Sequence, residues 1–251
     1  MNIDLAGKTV LVTGASRGIG AAIATAMAGA GADVAVHYSA SESEAAGVAA
    51  ACGPRALAFG ADLGDPAATA GLWASVAAAY GRVDVLVNNA GVAVSTPNDG
   101  SAAWLAAWDR TMAVNLRAAA QLCALACGHF GDHGGGRIVN ISSRAAFRGD
   151  QPDYVAYAAS KGGMVALTRS IARGYGRAGI VAFNVAPGFT RTAMAQDFID
   201  QYGEDHAVND IALARLTEPK DIAPTVVFLA SGLADHATGA TIDINAGSYV
   251  R

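Results

Sequence analysis

The sequence has few cysteines, few charged residues and no long apolar run. Its 251 residues include only three cysteines, and this odd, scattered set argues against a disulfide framework and favours a reducing compartment. Cys123 and Cys127 lack a second ligand pair at metal spacing, so we expect them in the core and expect no metal site. The formal net charge of -4 leaves no basic excess for a phosphate backbone, so we expect no nucleic-acid partner.

The apolar residues indicate a compact core and not a membrane segment. No stretch reaches the eighteen or so apolar residues of a membrane span, and the start lacks a basic region followed by an apolar one. With 53% hydrophobic and 15% charged residues, the composition excludes disordered and fibrous classes. We therefore expect a cytoplasmic protein without a membrane partner, folded as one domain over residues 1–251.

Short β-branched runs alternate with longer alanine-rich stretches of helical period. This alternation predicts repeated βα units around a parallel sheet, with strands that are apolar on both faces. The predicted strands are Thr9–Thr13, Val34–Tyr38, Ala56–Gly60, Val83–Asn88, Arg137–Ser142, Ile180–Val185 and Thr241–Ile244. The predicted helices are Ile19–Gly29, Ser43–Ala51, Ala67–Tyr80, Trp104–Phe130, Tyr154–Tyr175 and Asp221–Leu229. The expected fold is a single-domain α/β Rossmann-type doubly wound parallel sheet of seven strands, in the order 3-2-1-4-5-6-7, with helices on both faces.

A glycine-rich loop follows the first predicted strand and opens the first helix. Gly14, Gly18 and Gly20 permit a tight turn and the approach of backbone N–H groups to a pyrophosphate at a helix N-terminus. The second strand ends in His37-Tyr38-Ser39, without the acidic residue that would bind a ribose 2′-hydroxyl and repel a 2′-phosphate. Arg17 could pair with that phosphate, although an ordinary exposed cation explains it too. We therefore expect NADP(H), with NAD(H) as the alternative.

Several ordered motifs resemble the short-chain dehydrogenase/reductase family over nearly the whole chain. They are the glycine loop, Asp62, Asn88-Asn89-Ala90-Gly91, Asn115, Ile141-Ser142-Ser143, Tyr157-Ala158-Ala159-Ser160-Lys161, Pro187-Gly188-Phe189-Thr190-Arg191-Thr192 and Phe228-Leu229-Ala230-Ser231. Within the family, the chain looks closest to the 3-oxoacyl-acyl-carrier-protein reductase-like group. Near the end, Asn245-Ala246-Gly247 replaces the acid and two glycines that the family more often has, which we expect to affect subunit packing.

The reduction of a carbonyl requires a proton donor and a polarising hydrogen-bond donor at the oxygen. Tyr157 and Ser143 can supply them, with Ser142 in reserve, and Lys161 lies one helical turn from Tyr157, where an ammonium would lower the pKa of the phenol. The resemblance implies that Lys161 also holds the nicotinamide ribose and that Asn115 holds a water of a proton relay. Tyr157 follows Ser143 by 14 positions, one more than the family spacing, and the extra residue falls in the loop at 148–153.

The resemblance also implies the residues of the cofactor site. Asp62 is expected at the adenine amino group, the turn at Asn89 at the adenosine ribose, and Gly188 with its neighbours at the nicotinamide, although Asp62 and Gly188 also suit ordinary turns. The expected cofactor-binding residues are Gly14, Ser16, Arg17, Gly18, Ile19, Gly20, Tyr38, Ser39, Asp62, Leu63, Asn89, Ala90, Gly91, Tyr157, Lys161, Pro187, Gly188, Thr190 and Thr192.

Three weaker signals leave alternatives open. The acidic segment 193–210 is expected to be a substrate lid, although a solvated helix pair explains its charge equally well. His129 and His133, in a loop context with Gly131 and Gly134, are interpreted as solvated histidines and not as a metal pair. Trp104 and Trp108 fit a core stripe or the subunit interface that the resemblance implies for a homotetramer or homodimer.

The function expected from these features is reversible hydride transfer between NADP(H) and a carbonyl or secondary alcohol. A 3-oxoacyl thioester is one expected substrate, and an NAD-dependent dehydrogenase of an alcohol, sugar or hydroxysteroid is the alternative. Two non-catalytic hypotheses, a dinucleotide-sensing module and a scaffold protein, would not need the Ser-Tyr-Lys set. The expected partner is therefore a small-molecule carbonyl or alcohol substrate.

Overall fold

The computed structural model describes residues 3–193, 195 and 208–250, so most of the predicted lid at 193–210 lies outside the described residues. Seven parallel strands form one sheet in the order β3-β2-β1-β4-β5-β6-β7, which confirms the predicted fold class and strand order. The strands are β1 (Thr9–Val12), β2 (Asp33–Tyr38), β3 (Leu57–Gly60), β4 (Val85–Asn88), β5 (Gly136–Ile141), β6 (Ile180–Pro187) and β7 (Thr241–Ile244).

The helices lie between these strands in the order that was predicted along the chain. They are α1 (Gly18–Gly29), α2 (Glu42–Cys52), α3 (Pro66–Tyr80), α4 (Ala102–Met112), α5 (Ala118–Asp132), α6 (Ala145–Arg148), α7 (Val155–Tyr175) and α8 (Pro219–Ala230). The short helix α6 was not predicted from the sequence, because four residues are too few to show a helical period.

Alternate residues of the central strands enter two separate cores, one on each face of the sheet. Val10 and Val12 pack with α1 and α8 in one core, whereas Leu11 between them packs with α3 and α5 in the other. This arrangement explains why the central strands carry apolar residues on both of their faces. The prediction that every strand is buried on both faces is wrong for the two edge strands, each of which has a single neighbour: Leu57 of β3 is 47% exposed, and all four residues of β7 are only partly buried.

The predicted helix Trp104–Phe130 is interrupted by a π-helical segment, Ala113–Arg117. The wider turn lies between α4 and α5 and carries Asn115, which is fully buried. Single π turns inside α-helices occur frequently at functional sites, and this one places Asn115 beside the end of β4. No helix among the described residues has the length and apolar character needed to cross a bilayer.

Candidate active site

The glycine loop after β1 lies directly against the loop after β4. Gly14 has a φ of +62°, and a Cβ there would stand 2.9 Å from the Cα of Ala90. A Cβ on Gly20 would overlap the Gly14 carbonyl oxygen, so both positions require glycine for close packing. Helix α1 begins here without a side-chain cap and without an acidic residue in its first turn. Its N–H groups therefore remain available to a phosphate.

Thr13, buried at the end of β1, joins these two loops. Its hydroxyl accepts hydrogen bonds from the backbone N–H groups of Asn89 and Ala90, each at 3.0 Å. The Asn89 amide in turn donates to the carbonyls of Thr13 and Gly14, at 2.9 and 3.0 Å. The predicted turn Asn89–Gly91 is thereby held beside the glycine loop.

His37 is a second buried residue that positions the loop, and sequence reasoning missed this role. Its Nδ1 accepts the Gly14 N–H at 2.9 Å, and its Nε2 lies 3.0 Å from the Ala61 carbonyl. The residue is 1% exposed, and burial lowers its pKa. The available signal was a histidine within a strand, Val34–Tyr38, that was predicted to be buried on both faces.

The adenosine end of the expected cofactor site lies at the ends of β2 and β3. The Tyr38 hydroxyl is hydrogen-bonded to the Glu42 carboxylate, and Ser39 is exposed. Arg17 is exposed in the glycine loop and makes no capping hydrogen bond. No carboxylate follows β2 directly, but Glu42 brings one within reach of Tyr38, which the strand-end pattern alone did not reveal.

Asp62 and Leu63 follow β3 in a tight turn. The Asp62 carboxylate accepts the Gly64 N–H at 2.8 Å and pairs with Arg110 at 3.1 Å, and these contacts lower its pKa, the Gly64 hydrogen bond most. Leu63 is buried. Asp62 is therefore a turn residue in this structure, and one that still has lone pairs for a further donor.

The two serines after β5 point to different partners. The Ser142 hydroxyl donates to the Val185 carbonyl and accepts from Asn184, so it is committed to the sheet. The Ser143 hydroxyl accepts the Ala145 N–H at 3.1 Å and is hydrogen-bonded to Tyr157. The longer Ser143–Tyr157 spacing thus still brings these two hydroxyls together, because α6 and a 3₁₀ turn at Pro152–Tyr154 take up the intervening chain.

Tyr157 and Lys161 share one face of α7. The Lys161 ammonium lies 5.7 Å from the centre of the Tyr157 ring and donates to the Ile141 carbonyl at 2.9 Å. Lys161 is 3% exposed, and burial lowers its pKa to about 8. That Lys161 lowers the pKa of Tyr157 stays a prediction, because other groups set the direction in this arrangement. Burial raises the pKa of Tyr157, the Ser143 hydrogen bond lowers it, and the Asp150 carboxylate raises it.

Asn115 links the π segment to the chain after β4. Its amide donates to the Val92 carbonyl at 2.9 Å and to the Ser160 hydroxyl at 3.1 Å, and its Oδ1 accepts the Val92 N–H at 2.8 Å. Both donors are thus in use, and an expected water would bind the remaining lone pair of Oδ1 or the main chain. A Cβ on Gly91 would stand 3.4 Å from both Asn115 Oδ1 and Lys161 Nζ, so Gly91 leaves the space between them open.

The segment after β6 also lies close to the glycine loop. A Cβ on Gly188 would overlap Asn245, so this position requires a glycine, and Pro187 ends the strand before it. Thr190 donates to the Gly188 carbonyl, and Thr192 donates to the Thr190 carbonyl. The Thr192 methyl lies 3.4 Å from where a Cβ on Gly18 would stand. The predicted nicotinamide segment therefore reaches the start of α1.

Charged side chains gather beside Ser143. Arg144 and Arg148 both pair with Asp210, at 2.7 and 3.1 Å. Asp150 acts electrostatically on both Arg144 and Tyr157. Asp210 belongs to the predicted lid, so the end of that segment is joined to α6.

The remaining sequence predictions have mixed outcomes. Cys123 and Cys127 are buried, as expected. The interpretation of His129 as a solvated histidine is wrong, because its side chain is half-buried against Trp73 and accepts the Val83 N–H at 3.0 Å. In the described ranges, no three His, Cys, Asp or Glu side chains could together hold a metal ion.

The tryptophan pair lies on α4 at the surface. Trp104 and Trp108 stack on each other at 5.3 Å and are half-buried, so they do not form a core stripe. Leu105 beside them is 51% exposed. This face of α4 therefore stays a predicted subunit contact.

Comparison with known proteins places this geometry among enzymes. Residues 8–203 match the family model of the short chain dehydrogenases. A 3-oxoacyl-[acyl-carrier-protein] reductase of Staphylococcus aureus is 37% identical over 246 residues, covering 97% of this chain and 98% of the relative. The D-threitol dehydrogenase of Mycolicibacterium smegmatis is 37% identical over 250 residues, covering 98% of this chain and 95% of the relative.

A solved structure shows the same fold with a nucleotide. The crystal structure of a short chain dehydrogenase from Burkholderia cenocepacia in complex with NADP has a TM-score of 0.89 and 37% identity, and the match covers 97% of this chain and 98% of that one.

Proposed function

The chain belongs to the short-chain dehydrogenase family of oxidoreductases, and on that premise we propose that it is an NADPH-dependent reductase of a ketone, with Tyr157 as the proton donor. The observation that carries this proposal is the meeting of Tyr157, Ser143 and Lys161 beside a glycine loop with an uncapped helix N-terminus. The family acts on carbonyl and CH–OH groups. The direction of the reaction, the nucleotide and the role of each side chain are our proposal.

The catalytic side chains have separate roles at the substrate oxygen. Ser143 donates a hydrogen bond that polarises the carbonyl, and Tyr157 gives the proton that converts the resulting alkoxide to an alcohol. Lys161, buried beside the Tyr157 ring, supplies the positive charge near the reacting oxygen. Asn115 fixes the chain at Val92 and supports a water that returns a proton through Lys161.

The loop residues fit a dinucleotide. A Cβ at Gly14 would clash with Ala90, and one at Gly20 with the Gly14 carbonyl oxygen, so the glycines let the loop close tightly before α1, whose uncapped N–H groups suit a pyrophosphate. When bound, the nicotinamide supplies the hydride. Its ring and ribose would lie between Lys161 and the segment 187–192, the adenine beside Asp62 and Leu63, and a 2′-phosphate beside Arg17 and Ser39.

The nucleotide preference rests on charge. Arg17 is exposed and suited to a phosphate, whereas the nearest carboxylate after β2, that of Glu42, is already bonded to the Tyr38 hydroxyl. This arrangement favours NADP(H) over NAD(H). Arg17→Ser should therefore weaken NADPH binding and leave NADH binding nearly unchanged.

We propose a 3-oxoacyl thioester as the first substrate class, on the likeness to the acyl-carrier-protein reductase. The charged groups Arg148, Asp150 and Asp210 beside Ser143 favour a second class, small polyols and sugars, whose hydroxyls such groups can bind. The segment 193–210 would act as the lid, joined to α6 through Asp210. The exposed face of α4 would serve assembly into a homotetramer or homodimer.

The test is initial-rate oxidation of NADPH and of NADH over a panel of 3-oxoacyl thioesters, ketoses and hydroxyketones. Wild-type protein should turn over with NADPH, and Tyr157→Phe should lose roughly 100-fold or more in rate while its NADPH affinity changes little. Full turnover by Tyr157→Phe would contradict the assignment of the proton donor. Nucleotide binding without turnover on any carbonyl would favour the sensing module.

A further inference from the structure

We propose that His37 is a positioning residue that holds the phosphate loop in its binding conformation only while its imidazole is neutral, so that nucleotide affinity depends on its protonation. The inference rests on the proposed nucleotide site. It concerns a buried side chain beneath the loop that contacts neither substrate nor reacting atoms.

The hydrogen bonds fix the tautomer of the ring. The Gly14 N–H can only donate, so Nδ1 of His37 must be the unprotonated acceptor of the 2.9 Å bond. Nε2 therefore carries the proton and donates it to the Ala61 carbonyl at 3.0 Å. One neutral ring thus joins the first glycine of the loop to the end of β3.

The backbone around His37 reinforces this connection. The His37 carbonyl accepts the Ala15 N–H at 2.8 Å, so residue 37 binds two successive loop residues through its side chain and its main chain. Gly14 has the positive φ on which the turn depends. A shift of its N–H would therefore move the turn that faces the pyrophosphate.

Protonation is incompatible with this geometry. An imidazolium carries a proton on Nδ1, which would point at the Gly14 N–H, so two donors would face each other. The ring is 1% exposed, so it cannot turn to water without displacing its neighbours. Burial lowers the pKa of His37 from its ordinary value of 6.5, and the hydrogen bond to Ala61 opposes this effect.

Nearby charges are engaged elsewhere. Asp62, next to Ala61, accepts the Gly64 N–H and forms an ion pair with Arg110. The carboxylate of Glu42 is hydrogen-bonded to the hydroxyl of Tyr38. Arg17 is exposed at the far end of the loop, and α3, on the same face of the sheet, contains no acidic or basic residue. The protonation of His37 therefore depends mainly on burial and on the contact with Gly14.

Three substitutions separate the two ring contacts. Asn has an oxygen bonded to Cγ, as His has Nδ1, so His37→Asn keeps an acceptor for Gly14 that does not titrate. Gln carries its amide nitrogen one bond further out, like Nε2, so His37→Gln keeps chiefly the donor toward Ala61. His37→Leu removes both contacts at similar size.

The experiment is calorimetric titration of wild type and the three variants with NADPH and with NADH between pH 5 and 8, beside urea unfolding of each protein. At pH 7.5 we expect His37→Leu and His37→Gln to bind NADPH roughly tenfold or more weakly than wild type. His37→Asn should stay within about threefold of wild type. As pH falls below the pKa of His37, wild-type affinity should fall relative to His37→Asn, by up to about tenfold per pH unit.

The comparison with His37→Asn removes the titration of the ligand, since the 2′-phosphate of NADPH itself has a pKa near 6. Equal affinities of wild type and the Leu variant, or the same pH profile for wild type and the Asn variant, would overturn the inference and leave the nucleotide site intact. If His37→Leu does not fold, the NADPH affinities of His37→Asn and His37→Gln test the inference instead. Failure of wild type to bind either nucleotide would instead overturn the proposed function, and the inference with it.

Discussion

Replacing the buried Lys161 with Met should stabilise the protein while abolishing its activity. Lys161 is 3% exposed, and its ammonium has one hydrogen bond, to the Ile141 carbonyl, and no carboxylate partner among the residues that the structure describes. Burial lowers its pKa from 10.5 to about 8. Such a lysine costs roughly 3 kcal/mol of folding free energy at pH values below 8. Met has a similar length and no charge to desolvate.

The expected gain is smaller than this cost, because Lys161→Met also leaves the Ile141 carbonyl without its donor, at a cost of about 1 kcal/mol or more. We therefore expect the free energy of unfolding at pH 7 to rise by about 1–2 kcal/mol. The pH dependence has a definite sign. Between pH 8 and 10.5 the unfolded chain binds more protons at this lysine than the folded one does, so wild-type stability from this group rises with pH.

The advantage of Lys161→Met should therefore be largest below pH 8 and disappear towards pH 10.5. Urea unfolding at fixed protein concentration, at pH 7, 8 and 9.5, measures it. Lys220→Met, at a side chain that is 74% exposed, is the matched control and should change stability by less than about 0.5 kcal/mol. A Lys161→Met protein that is less stable than wild type at pH 7, or whose difference from wild type is independent of pH, would refute the reasoning.

Three further predictions concern stability at other positions and are measured by urea unfolding. Thr13→Val should cost about 2–4 kcal/mol, because two partly buried backbone N–H groups lose their acceptor, whereas Thr13→Ser should cost only about 1 kcal/mol; equal losses would contradict the role of the hydroxyl. Ala246→Gly should stabilise by about 0.5–1 kcal/mol, since Ala246 has a φ of +53°, and an unchanged midpoint would show that this strain is absent. Asp221→Ala should cost about 1 kcal/mol at pH 7, because Asp221 caps α8. The Arg215 hydrogen bond above all lowers the pKa of Asp221 to about 2, so this loss should be full above pH 4 and shrink as pH falls towards 2; a constant loss would contradict it.

The strand and helix order follows from local pattern, and for this reason the fold was predicted correctly. Buried strands such as β1 and β4 are short, mostly apolar runs, and the helices between the strands are long enough to show their period. The glycine loop and the Tyr157–Lys161 pair are also local, because one loop or one helical turn contains each motif. The exposure of β3 was not predicted, although the expected strand order already placed this strand at the sheet edge, because its apolar residues look like those of a buried strand and only the packing of the helices shows what stays uncovered.

Contacts between distant residues could be decided only by the tertiary structure. The sequence left Ser142 and Ser143 as alternatives, and the pairing of Ser142 with Asn184, 42 positions away, separates them. The pKa of Tyr157 depends on burial, which spacing along α7 does not show. In the sequence, His37 was noted only because no acidic residue stands at the end of the second strand. The fold places Gly14 and Ala61 on either side of its ring and so shows its role. Local periodicity and turn chemistry are contained in the sequence, whereas desolvation and hydrogen bonds between loops arise only when the sheet brings separate strand ends to one edge.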